Sequence, residues 1–274
     1  MSAIYADFSV ANDLLQEANR GRLANHHPVA LEKSGRIGPL VEIALAALQH
    51  PAQYRSVVVN SQFATGLTEA LQKRLPFGSG YQDRAGVFPL GLINPVTADD
   101  TLDWDLWTKH AENIATAQGL NRHLIAALLG ALVELQDNVY EHSNAPDTGL
   151  VAYAVTPTSF EFVVADQGIG VLSSLKQNPK FAEVSDAGLA LELAITDGVS
   201  RFPAESGRGQ GFHQLFRALV GHNAELRFRS DDHALTLHPG SDITSGATIL
   251  AQVASLSGFS ISVFCNGNSL TGQA

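Results

Sequence analysis

Apolar residues recurring at the helical period mark the longest element of the chain. In NRHLIAALLGALVELQDNVYEHS (121–143), Ile125, Leu128, Leu129, Leu132, Leu135 and Val139 fall on one broad side of a helical wheel. Glu134, Asn138 and Glu141 gather on the opposite side, and Asn121 stands where an N-cap belongs. The same period predicts helices over 37–50, 65–75, 103–118 (stopped by Gly119) and in GFHQLFRALVG (211–221). Apolar or alternating runs predict strands at SVVVN (56–60), GLVAYAVTP (149–157) and SFEFVVAD (159–166). They also predict a hairpin, AELRFRSD with HALTLHPG, turning at Asp231 and Asp232, and a buried strand in ATILAQVA (247–254).

This order predicts an α+β fold, a two-layer α/β sandwich with helices on one face of a mixed sheet, and a smaller N-terminal α/β region. The loop GLINPVTADD (91–100) suggests a boundary near residue 100. The expected organisation is therefore an N-terminal α/β domain over 1–100, a main domain over 101–256, and a C-terminal tail over 257–274.

Composition narrows the function classes. With 17 Lys and Arg against 27 Asp and Glu, the net charge of −10 argues against nucleic acid or an anionic membrane surface as partner. The single Cys265 cannot form an internal disulfide, and the first residues lack a signal-peptide pattern, so a cytoplasmic location is expected. Ten histidines show no metal-binding spacing.

Four short stretches carry candidate chemistry. On the long helix, the side-chain oxygen of Asn138 is a hard ligand suited to magnesium, and Glu134 one turn earlier can deprotonate a water or hydroxyl beside that metal; a plain solvated face has the same pattern. In VVADQGIGV (163–171), Asp166 ends a strand, and Gly168 and Gly170 let backbone come close. That carboxylate can accept a hydrogen bond from an exocyclic amine such as adenine's, or the segment is an ordinary turn. In ESGRGQG (205–211), Gly207, Gly209 and Gly211 precede an apolar helix, a pattern that can gather backbone N–H groups around phosphate; it fits neither the Rossmann nor the Walker spacing. In SGATILAQV (245–253), Thr248 opens a strand and can share a water with Asp166.

Taken in order, these four motifs resemble the GHKL superfamily of ATP-binding domains, which includes those of DNA gyrase, the large heat-shock chaperone, histidine kinases and the mismatch-repair ATPase. The likeness spans roughly residues 103–254 and is closest to the anti-sigma-factor serine kinases, which share the Glu, the Asn and a His at the position of His142. It implies a Bergerat-type fold that binds ATP and Mg2+. Glu134 would be the general base and Asn138 the metal ligand. Asp166 would read adenine with Gly168, Gly170 and Thr248, and Gly207, Arg208, Gly209 and Gly211 would line the phosphates. Arg201 is a second candidate cation, and 171–206 would be a mobile lid. Glu141 departs from the basic residue that histidine kinases carry three positions after the Asn, which weakens that particular likeness.

Two functions follow from the resemblance. One is Mg-dependent phosphoryl transfer, by a serine/threonine protein kinase or a slow ATPase acting in signalling on a partner protein. The other is a nucleotide-gated interaction module, in which the first hundred residues supply a partner surface or a homodimer contact.

Overall fold

The computed structural model describes residues 4–25, 28–33, 35–78, 83–93, 101–196, 224–238 and 248–266. Two sheets and seven α-helices are present among them, a mixed α/β architecture.

The N-terminal unit is built from parallel βαβ units. Strands β1 (Ile4–Ala6), β2 (Val29–Lys33) and β3 (Val57–Asn60) pair in that order, joined by helices α1 (Phe8–Asn19) and α2 (Gly38–Gln49), with α3 (Gln62–Lys73) following. The Asp7 side chain caps α1 by accepting from the Val10 N–H at 2.8 Å. Helix α2, GPLVEIALAALQ, shows little amphipathic contrast because it is covered on two sides. It lies between the parallel sheet and a second, larger sheet.

That second sheet has the order β4-β5-β6-β8-β7, all antiparallel among the described residues: β4 (Ala85–Pro89), β5 (Leu150–Thr156), β6 (Ser159–Asp166), β7 (Ala224–Leu237) and β8 (Thr248–Asn266). Strand alternation sorts its two faces. Phe160, Phe162, Val164, Phe228, Phe259, Ile261 and Val263 pack with helices α4 (Thr101–Ala117) and α5 (Arg122–His142) in one core. Ala152, Ala154, Val163 and Ala165 face the other way and share a core with Leu40, Val41 and Leu45 of α2. The buried Glu161 of β6 caps α2 from the sheet, accepting from the Ile37 N–H at 2.7 Å and the Gly38 N–H at 3.0 Å. Helices α6 (Gly170–Leu175) and α7 (Ala187–Ala194) follow β6.

Several expectations need correction. The sheet is antiparallel among the described residues, not mixed, and helices lie on both of its faces. The boundary near residue 100 would cut off β4, whose residues pair with β5 from Ala85↔Ala154 to Pro89↔Leu150, so the N-terminal unit ends before residue 85. The expected tail from 257 holds the buried half of β8, a central strand paired with β6 as far as Asn266 and with β7 as far as Cys265. Strand β7 instead runs continuously through Asp231 and Asp232, opposite a bulge whose extra residues lie on β8, with Asp231 in the left-handed region at φ 52°. The segment expected as a lid, as far as 196, contains α6 and α7. Helix α7 packs on strand β7.

Candidate functional site

Helix α5 forms as its pattern requires. The Asn121 side chain accepts from the N–H groups of His123 and Leu124 at 3.0 and 3.2 Å, and Leu124, Ile125, Leu128, Leu132, Leu135 and Val139 are buried. Glu134 is exposed on the opposite side, while Asn138 and Glu141 are half-buried. The Asn138 Nδ2 is buried with no hydrogen-bond partner among the described residues. Asp137 joins this face, and its carboxyl is held above the usual range by burial and then by the charges of Glu134 and Glu141.

The end of β6 meets the end of α5. After Asp166, the Gly168 N–H returns to Asp166 Oδ1 at 2.7 Å, closing a tight local turn. The next N–H, of Ile169, donates to the Ser143 carbonyl at 2.9 Å, at the C-cap of α5. Gly168 is required for this approach: a Cβ there would lie 2.1 Å from the Ser143 carbonyl oxygen. Gly168→Ala is therefore expected to cost about 2 kcal/mol or more, because the obstructing atom is backbone and cannot swing aside. Thermal or denaturant unfolding checks this. Gly170 opens α6 at φ +74°, a second conformation that suits glycine.

Asp166 is fully buried, with no exposed surface. Its Oδ2 has no hydrogen-bond partner among the described residues. Burial pushes its carboxyl from the ordinary 3.8 up to about 7, against the smaller opposing effect of the N–H groups of Gly168 and Phe259. Such a group stands near neutrality with one acceptor oxygen unused, a costly arrangement unless something donates to it.

Three residues outside the four motifs complete the surroundings. Gly258, at φ +78°, brings the β8 backbone against Asp166, where a Cβ would lie 2.1 Å from the Asp166 carbonyl oxygen. Ser230 Oγ donates to the Gly258 carbonyl at 2.9 Å and accepts the Val171 N–H at 3.0 Å, tying β7, β8 and α6 together. Asp231 lies beside Gly170, its Oδ2 buried and without a partner among the described residues; burial, then Asp232, raises its pKa. An isolated glycine in the alternating run LSGFSISVF was the available signal for Gly258. Nothing in the sequence singles out Ser230.

The structure thus brings Asp166, Gly168 and Gly170 to the C-terminal end of the helix that carries Glu134, Asn138 and His142. It does not bring Thr248 there. Thr248 pairs with Leu237, whereas Asp166 pairs with Phe259, eleven residues further along β8 and roughly 35 Å away by strand contour. Gly207, Arg208, Gly209, Gly211 and Arg201 lie outside the described residues. A cavity of about 320 Å3, lined by Arg84, Thr156, Ser159, Glu161 and Phe264 among others, sits at the opposite end of β6 and is separate from this chemistry.

Among the described residues no group of three or more His, Cys, Asp or Glu forms a metal cage, and no helix is long and apolar enough to cross a membrane. Compared with known proteins, the chain matches no family model and no curated protein sequence.

Proposed function

We propose that this protein is an ATP-binding regulatory protein of Bergerat-type fold, transferring the γ-phosphate of Mg-ATP to water or to a serine or threonine of a partner protein. The observation that carries this reading is the Asp166 carboxylate: fully buried at a strand end, with Oδ2 unpartnered among the described residues, between two close backbone approaches. An exocyclic amine is a chemically fitting partner for that oxygen, and its hydrogen bond would lower the cost of the buried charge.

In this reading Asn138 would hold magnesium through its carboxamide oxygen, a hard ligand suited to that ion. The metal, when bound, supplies neutralisation of charge on the phosphates. Glu134, on the same helix face one turn earlier, takes the proton of the attacking hydroxyl or water. Gly207, Gly209 and Gly211, with Arg208, are proposed to complete the phosphate cradle. Thr248 has no part in base recognition in this arrangement.

Glu134→Ala is expected to keep ATP affinity within about threefold and to lower turnover by at least 100-fold. The assay follows label from γ-labelled ATP with magnesium. Label released as phosphate by the protein alone identifies an ATPase, and label appearing on an added protein identifies a kinase. Turnover surviving in the variant would remove Glu134 from the base role. ATP bound by the wild type without turnover under any condition would leave a nucleotide-gated interaction module.

A further inference from the structure

Between Asp231 and Phe259 the pairing of β7 with β8 breaks down. Ser230 faces Phe259, Asp231 faces Leu256 and His233 faces Gln252, so residues 257–258 have no counterpart on β7 and residues 253–255 stand opposite Asp232 alone. Such a stretch leaves backbone groups without ladder partners, and buried or half-buried ones need others.

The N-terminal unit supplies them. From α1, Asn12 Oδ1 accepts the Ala254 N–H at 2.8 Å, and Asn19 Nδ2 donates to the Ser255 carbonyl at 3.1 Å. From α2, Gln49 Oε1 accepts the Ser257 N–H at 3.0 Å. The Ala254 carbonyl accepts from Arg229 Nη2, and Arg229 Nη1 is held by Glu42 of α2 at 2.7 Å. The Leu45 carbonyl of α2 accepts from Gln167 Nε2 at 3.0 Å, immediately after Asp166.

Both backbone segments that flank Asp166 are therefore held by α1 and α2: Gln167 on one side, and 254–257 leading into Gly258 on the other. Gly258 is in contact with Asp166, and the N–H of Phe259 helps to stabilise its charge.

We propose that Asn12 and Gln49 are positioning residues of the nucleotide site, so that the seating of the N-terminal unit sets the affinity for nucleotide. This rests on the reading of Asp166 as the base-binding carboxylate. A signal that shifts α1 and α2 would weaken nucleotide binding without touching the phosphates or the Glu134 face. Linkage makes the effect reciprocal: bound nucleotide tightens the hold of α1 and α2 on β8.

Calorimetry with Mg-ATP tests this on the full chain. The double variant Asn12→Ala with Gln49→Ala is expected to bind about tenfold more weakly. Asn12→Asp with Gln49→Glu, which keeps both acceptor oxygens, should restore affinity to within about threefold of wild type. A merely structural role would lower thermal stability without this rescue pattern. Should the alanine variant fail to fold, amide exchange in the wild type decides: ADP should slow exchange at the Ala254 and Ser257 amides by about the same tenfold factor. Equal affinity in wild type and a folded alanine variant, or unchanged exchange at those two amides, overturns the proposal while leaving ATP binding intact. Absence of any nucleotide binding by the wild type overturns the underlying reading of Asp166, and this proposal with it.

Discussion

Asp166→Asn is expected to make the nucleotide-free protein more stable at pH 8 while weakening its affinity for ATP. A carboxyl whose pKa rises from 3.8 unfolded to about 7 folded binds its proton more tightly in the native state. Its favourable contribution is complete below pH 3.8 and is lost as pH climbs to about 7 and beyond. Above that point the ionised native form carries a penalty with a ceiling of roughly 4 kcal/mol. Asparagine keeps an oxygen for the Gly168 N–H and carries no charge, but its amide nitrogen inherits the unpartnered position. A net gain of about 2 kcal/mol at pH 8 is therefore expected, a rise of about 5 °C in midpoint, shrinking towards zero near pH 5.

The ligand responds in the opposite sense. An adenine amine donates to a carboxylate oxygen and cannot donate to the asparagine NH2 that replaces it, so affinity should fall on the order of 100-fold. Wild-type affinity should also rise with pH through about 7, as Asp166 becomes ionised without help from the ligand. Scanning calorimetry at pH 5 and pH 8, paired with ATP titrations, measures both. A variant that is destabilised at pH 8 would identify Asp166 as a structural carboxylate and remove the support it gives to a nucleotide site.

The parts of this architecture that were legible in the sequence are those fixed by local pattern. The helical period of 121–143, its Asn121 cap and the strand ending in Asp166 needed no tertiary information. The glycines at 168 and 170 signalled close approach correctly, although the surface approached, the Ser143 carbonyl and the Ser230–Asp231 corner, could not be named.

Strands β1, β2 and β4 and the second half of β8 escaped, the last two for reasons visible in their own residues. Residues 85–89 form a short edge strand that ends in a proline shortly before the loop-like GLINPVTADD. Residues 257–266 do alternate, with Phe259, Ile261, Val263 and Cys265 on one face and Ser260 and Ser262 on the other. Those serines are buried as well, because the face they occupy meets α2 and Glu161, so a polar-looking segment is a central strand. Thr248 shows a different limit. Its place in the motif order says nothing of register, and the length of β8, with its bulge, carries it away from Asp166. The contacts from Asn12 and Gln49 span 242 and 208 residues of chain, beyond the reach of any local pattern.

Glu42→Ala should be the most damaging single change at the junction of the two sheets, costing about 3–5 kcal/mol in unfolding experiments. Glu42 is 3% exposed and receives Arg227 Nε at 2.8 Å and Arg229 Nη1 at 2.7 Å, the latter from a side chain only 1% exposed. Removing the carboxylate leaves Arg229 as an uncompensated charge in the interior, and that orphaned charge, more than the lost attraction, is the source of the cost. Arg227 suffers less, since its guanidinium also lies over the Phe8 ring at 4.6 Å and it is partly exposed. It follows that Glu42→Leu combined with Arg229→Met should be less destabilising than Glu42→Ala alone, because both buried charges go together and apolar volume replaces them. The ion pair then serves to select one seating of α2 on β7 rather than to add net stability. A double variant as unstable as the sum of its two single changes would contradict this, and would make the pair a true source of stability at the junction.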